Sequence, residues 1–158
     1  MIIGNDLYVE GFFDTATSTI SYLVMNPSTR CCALIDSVLD YDPASGRTDT
    51  RSAERLIARV RELGASVQWI LETHVHADHL SAAALLKRTL GGQIAIGSQI
   101  TQVQQTFGAL FNTDSTFARD GSQFDALFDD GSTFAIGSLQ VQALHLSLIH
   151  ISEPTRPY

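Results

Sequence analysis

The sequence predicts an α/β fold, a mixed sheet with flanking helices, and three observations carry that reading. Its first third alternates apolar and polar residues in short bursts separated by turn formers, the pattern of paired strands. From residue 50 onward, helical spacings of apolar residues alternate with short apolar runs, the pattern of strands covered by helices. At 158 residues with 44% hydrophobic content, the chain is one domain's worth of sequence and long enough to bury a core.

Taken in order, Tyr8 to Phe13, Ile20 to Met25 and Cys32 to Ile35 read as three strands, with Asn26-Pro27-Ser28-Thr29 as the turn joining the last two. An antiparallel meander is the simplest arrangement. Residues 36 to 47 are dense in turn chemistry and read as a polar loop. A helix follows: Thr50 or Ser52 can cap it, Ala53, Leu56, Ile57, Val60 and Leu63 fall at helical spacing, and Gly64 ends it. Val67 to Leu71 is a short apolar strand. Leu80 to Leu90 reads as a helix closed by Gly91-Gly92, Ile94 to Ile96 as a strand, and Ile100 to Phe111 as a helix with Val103, Phe107, Leu110 and Phe111 on one side. Gly121 to Asp130 reads as an acidic connection, and Phe134 to Ile136 with Leu139 to Leu144 as a hairpin turning at Gly137-Ser138.

A net charge of -7 and 17% charged residues exclude a polyanion-binding surface, so nucleic acid is not an expected partner. The N-terminus has no basic segment leading into a long apolar stretch, and no run approaches a membrane span, which places the protein in the cytoplasm as an expectation. Cys31 and Cys32 are adjacent in a strand, where side chains face opposite ways, so they read as free thiols.

Chemistry concentrates in Thr73-His74-Val75-His76-Ala77-Asp78-His79, at the C-terminal end of the Val67 to Leu71 strand. Three of the chain's five histidines lie there. Neutral imidazoles bind Zn, Fe, Cu or Ni, and a carboxylate adds charge and hardness. On an extended segment His74 and His76 would point to one side, with His79 turned away. The expected metal ligands are His74, His76, Asp78 and His79, with Asp78 and His79 as catalytic candidates. A polar loop of solvated histidines is the bland reading, and the density of imidazoles after a buried strand argues against it.

The His-x-His-x-Asp-His pattern of His74 to His79 resembles the signature of the metallo-β-lactamase fold superfamily. The segments 14–22, 35–42, 69–74 and 90–97 are similar to its persulfide dioxygenase and glyoxalase II-like branch, particularly to bacterial β-lactamase hydrolase-like proteins. The resemblance spans roughly residues 8 to 145. It implies the N-terminal half of an αβ/βα sandwich, with the second half and its remaining ligands, a second His, a bridging Asp and a last His, lying beyond residue 145. His145 is similar to the residue just before the second-ligand turn. In the dioxygenase branch one Fe(II) would be bound by the equivalent of His74 with the later His and Asp, His76, Asp78 and His79 being near neighbours. In the hydrolase branch one or two Zn(II) ions would use all four residues, and a bound water would attack a thioester or lactam carbonyl.

The implied reaction is oxidation of glutathione persulfide to sulfite and glutathione, with a Zn-dependent thioester hydrolase of glyoxalase II type as the alternative, and an inactive fragment as the third reading of the chain as written. The implied partner is a small molecule, with no nucleic acid and no membrane, and a homodimer is left open as an assembly state. Residues 146–156 resemble the conceptual translation of a transposase adapter used in DNA sequencing. The expected organisation is therefore an incomplete domain over 1–145 and a non-native tail over 146–158, with His150 excluded as a ligand. Asp36 is balanced between capping its own loop and supporting the metal loop from behind. Trp69, Phe107, Phe111, Phe124 and Phe128 are expected in the core, Tyr41 and Asp42 in a turn, and Arg47, Arg51 and Arg55 on a solvated helix face, although a glutathione carboxylate could use such a charge.

Overall fold

The computed structural model describes residues 7–114 and 116–146. His150 and residues 147–158 of the expected tail therefore lie outside the described residues. A mixed six-stranded sheet forms the centre, in the order β1-β2-β3-β6-β8-β9. Strands β1 (Tyr8–Phe13), β2 (Ile20–Met25) and β3 (Cys31–Ile35) make the antiparallel meander, in registers Tyr8 to Met25 and Tyr22 to Ile35. Strands β6 (Ser66–Leu71), β8 (Gln93–Gly97) and β9 (Ala126–Phe128) then add parallel to β3 and to one another.

Helix α1 (Arg51–Glu62) buries Ala53, Leu56, Ile57 and Val60, and α2 (Ala83–Leu90) buries Ala83 and Leu86, all in one apolar cluster with Leu23, Leu34, Val67 and Ile70 of the sheet. These side chains are 8% exposed or less, so the hydrophobic effect fixes both helices to the sheet. Gly92, at φ +88°, lets the chain turn from α2 into β8; a Cβ there would sit 3.0 Å from Val67 Cγ1 and 3.1 Å from its carbonyl oxygen. The hairpin β10 (Thr133–Ile136) and β11 (Leu139–Gln142) docks through Trp69, whose Nε1 donates to Ala135 O at 2.9 Å, while its ring meets Phe128 and Phe134 edge-on. Both cysteines are free, Cys32 buried and Cys31 half-buried.

The expected polar loop over 36–47 is instead a hairpin. Strand β4 (Val38–Asp42) pairs with β5 (Arg47–Asp49) and, at its other edge, with a two-residue strand β7 (Leu80–Ser81). Turn residues dominate the sequence there because only Val38 is fully buried, 2% exposed, with Leu39 partly buried against the core, while β5 is exposed throughout. Because Leu80 and Ser81 belong to that pairing, α2 starts at Ala83 and not at Leu80.

Thr50 does not cap α1 with its side chain. The Asp40 carboxylate, reaching across from β4, accepts from Ser52 N at 2.8 Å and Ser52 Oγ at 2.7 Å, which answers the first-turn donors. Part of the expected acidic connection is strand β9. In α3 (Ile100–Leu110) the buried residues are Ile100, Gln104 and Gly108. Phe107, Leu110 and Phe111 are 49%, 69% and 69% exposed, so the aromatic face read as core lies outside it.

Candidate metal centre

Parallel strands place their carboxyl ends at one sheet edge, and here β3, β6 and β8 do so side by side. Asp36, directly after β3, takes a left-handed backbone at φ +50° and donates its N–H to Leu71 O at 2.9 Å. Its carboxylate then holds the start of the next loop, accepting from Thr73 N and from Thr73 Oγ1, both at 2.7 Å. Asp36 therefore supports the histidine loop from behind.

Past Thr73 the chain bends and does not continue as a strand, which overturns the expectation that His79 turns away. His76 lies between the other two imidazoles, its ring centroid 4.1 Å from that of His74 and 4.1 Å from that of His79. Asp78 Oδ1 approaches Nδ1 of His76 at 3.6 Å and Nδ1 of His79 at 3.5 Å. Its other oxygen accepts from Thr19 Oγ1 at 2.8 Å, so a residue of the β1–β2 turn orients the carboxylate. The side chain of His79 is fully buried and that of His76 is 8% exposed. His74 is exposed, with Nδ1 2.9 Å from Thr73 Oγ1.

Two groups of potential ligands follow. Nitrogen and oxygen atoms of His76, Asp78 and His79 lie within 4.8 Å of one another, and so do those of Asp36, Glu72 and His76. His74 belongs to neither group and meets the site through the His76 ring. His76 Nε2 is 3.0 Å from Asp36 Oδ1 and 3.6 Å from Glu72 Oε2 but lacks hydrogen-bond alignment with either. His76 Nε2, His79 Nε2 and Glu72 Oε2 are buried without hydrogen-bond partners among the described residues. Buried polar atoms are normally paired, and borderline nitrogen donors beside carboxylate oxygens suit Zn(II) or Fe(II), so this donor set fits a metal ion.

The electrostatics agree with that fit. Burial pushes the Glu72 carboxyl up to about 7, against the Ser81 hydroxyl that donates to it at 2.5 Å. The Thr19 hydroxyl holds Asp78 down to about 2. Burial and the neighbouring His76 lower His79, outweighing Asp78, and this favours the neutral imidazole a metal requires. Sequence reasoning weighs Asp36 as a support of the metal loop beside its reading as a loop cap, but the motif singles out neither Glu72 nor Thr19. The available signal was positional for Asp36 and Glu72, at the ends of parallel strands, and absent for Thr19.

The loop separates two cavities. A cleft of about 910 Å³ runs from His76, Asp78 and His79 to the β4–β5 hairpin. A smaller one of about 380 Å³, walled by Ala83, Ala84, Ile94 and Ile96, meets His74, His76 and His79 from the α2 side.

The family model described as "Metallo-beta-lactamase superfamily" matches residues 15–148. A probable metallo-hydrolase of Burkholderia pseudomallei is 65% identical over 137 residues, covering 87% of this chain and 47% of that protein. Glyoxylase B2 of Dictyostelium discoideum is 43% identical, covering 90% and 49%. The human mitochondrial persulfide dioxygenase ETHE1 is 27% identical over 101 residues, covering 64% and 35%. Among solved structures, ETHE1 from Myxococcus xanthus superposes with a TM-score of 0.60 at 24% identity, covering 85% of this chain and 46% of that one. The chain thus spans about half or less of the length of these relatives.

Proposed function

The chain belongs to the metallo-beta-lactamase superfamily, whose members bind metal ions and are mostly enzymes, and on that premise we propose that the full-length protein oxidises glutathione persulfide to sulfite and glutathione. The observation that carries the reading is the buried, unpartnered His76 Nε2 and His79 Nε2 beside the exposed His74. Bound Fe(II), held by His74 together with ligands from the rest of the full-length protein, would supply the activation of dioxygen toward the persulfide sulfur. One persulfide, one dioxygen and one water give one glutathione, one sulfite and two protons.

The chain's own residues have distinct parts in this. Thr73 fixes the His74 ring through Nδ1, which leaves Nε2 to the ion. Thr19 holds Asp78, and Asp78 in turn orients His76 and His79 beside the reacting sulfur, where the two buried imidazoles can accept or pass a proton. Asp36 fixes the loop that carries all of them. The relative named as a persulfide dioxygenase supports the reading.

A second reading, a Zn-dependent thioester hydrolase, is favoured by the compact His76, Asp78 and His79 group and by the relatives named Glyoxylase B2 and probable metallo-hydrolase. There the four motif residues would all be ligands, and Zn(II) would lower the pKa of a bound water. Metal analysis of the full-length protein, followed by oxygen uptake with glutathione persulfide, separates the two. Iron with stoichiometric oxygen uptake is expected; zinc with thioester turnover and no oxygen uptake would establish the second reading instead.

A further inference from the structure

We infer that Arg47, on the β4–β5 hairpin, anchors the carboxylate end of the substrate while the reacting sulfur lies at the histidine loop. The inference rests on the reading of a glutathione-type substrate and adds the residue that orients it. Arg47 and the cluster of His76, Asp78 and His79 line the same 910 Å³ cleft from different elements, one on a strand pair and the other on the loop after β6. A cleft of this size accommodates a tripeptide-sized ligand lying between them.

Charge decides what Arg47 can do there. The acidic side chains of the hairpin side are all engaged in local structure. Asp14 accepts from Thr17 N and Oγ1, Asp40 caps α1, and Asp42 holds its own turn through Ala44 N at 3.0 Å and Ser45 Oγ at 2.7 Å. Asp49 accepts from Thr50 N at 2.6 Å and pairs with Arg51 at 2.9 Å. Arg47 is exposed and makes no side-chain hydrogen bond or ion pair among the described residues, although Asp42 faces it across the hairpin.

The cleft therefore has one uncommitted guanidinium among fixed carboxylates. An anionic group is repelled by the acidic walls and attracted at that single point, so one cation sets the ligand's direction as well as adding affinity. A guanidinium is suited to this because its planar fork matches a carboxylate with two parallel bonds. The sequence pattern placed Arg47 with Arg51 and Arg55 on a helix face; its position on β5 is what turns it into the cleft's free charge.

The test is calorimetric binding of S-methylglutathione and of its diethyl ester to the full-length protein and to its Arg47→Gln and Arg51→Gln variants. Neither ligand is turned over, so the result is independent of which reaction the protein catalyses. Arg47→Gln is expected to weaken binding of the free acid by about tenfold and to leave the ester within about twofold, with the paired Arg51 losing less. Equal losses for acid and ester, an unchanged affinity in Arg47→Gln, or no binding of S-methylglutathione at all would each overturn the inference. Failure of the proposed reaction would look different: absent turnover with the acid-specific effect of Arg47 preserved.

Discussion

Two polar segments are buried at the ends of strands in this molecule, and they are treated in opposite ways. At the end of β2, Asn26 is 1% exposed and every polar atom of its side chain is engaged: Oδ1 accepts from Ser28 N, Ser28 Oγ and Thr29 N, and Nδ2 donates to Ser138 Oγ at 2.6 Å. At the end of β6, His76 and His79 are as deeply set, yet both Nε2 atoms and Glu72 Oε2 lack partners. Ser37 Oγ, beside Asp36, completes the unpartnered buried set among the described residues. A satisfied buried polar group specifies a fold, whereas a group of unsatisfied ones gathered at one strand edge holds a site open for a ligand.

The largest effect that would break this contrast comes from Asn26. Asn26→Ala removes the acceptor of the turn and orphans the Ser138 hydroxyl that ties the meander to the β10–β11 hairpin. A loss of about 3 kcal/mol in unfolding free energy is expected from chemical denaturation. A loss under about 1 kcal/mol would mean the turn is held by its backbone bonds alone.

Asp36 comes next because it belongs to both categories. Its carboxylate satisfies Thr73 N and Oγ1, and the same group backs His76. Asp36→Ala should cost about 2 kcal/mol of stability and lower metal affinity by about 10–100-fold in the full-length protein, measured by competition with a chelator. Unchanged affinity would reduce Asp36 to a loop cap. The carboxylate-to-amide variant Asp36→Asn keeps an acceptor for Thr73 and should separate the two effects.

For His79 the contrast predicts the reverse of the Asn26 result. Leucine at this position removes an unpartnered buried nitrogen, so His79→Leu should leave the metal-free protein within about 1 kcal/mol of wild type. Zinc binding should fall in the same variant under the hydrolase reading, in which His79 is a ligand, whereas iron held through His74 should be affected less. A destabilisation as large as that of Asn26→Ala would show that the imidazole is structural.

These residues also mark what could be read in the sequence. The three meander strands, α1, β6, α3 and the β10–β11 hairpin lie where spacing and turn chemistry place them, with ends that differ by a residue at most except at β11, which stops at Gln142 and not at Leu144. So do His74, His76, Asp78 and His79, because one short stretch carries them. The hairpin at 38–49 was not legible, since its strands bury little and its turn residues outnumber its apolar ones. Strand β9 has three residues and exists by pairing with β8, a partner 31 residues away in sequence at Ile96 and Leu127 that meets it only in the folded sheet. The site's supports share this origin: Thr19 reaches Asp78 across 59 residues and Asp36 reaches Thr73 across 37. No local pattern encodes contacts made by sheet order.

The smallest effect tests the satisfied side of the contrast at the surface, where Arg59 bridges β1 and α1. Arg59 Nε donates to Glu10 at 2.7 Å, Nη2 donates to Tyr8 Oη at 2.9 Å, and Tyr8 in turn donates to Glu10. Burial raises the Glu10 carboxyl, but the hydrogen bonds from Tyr8 and Arg59 outweigh it and hold the group below its ordinary range. A carboxylate with a lowered folded pKa binds fewer protons in the native than in the unfolded state, so its contribution is present above the unfolded value and is lost as pH falls through the folded one. Both partners are partly exposed, at 27% and 29% of their side chains, which limits the contribution to under about 1 kcal/mol. Denaturation midpoints measured between about pH 6 and pH 3 should therefore fall slightly less steeply for Glu10→Gln than for wild type. Identical slopes would mean that Glu10 is as well solvated in the folded chain as in the unfolded one, and that hydrogen bonds seen at a surface edge carry none of the weight that Asn26 carries in the interior.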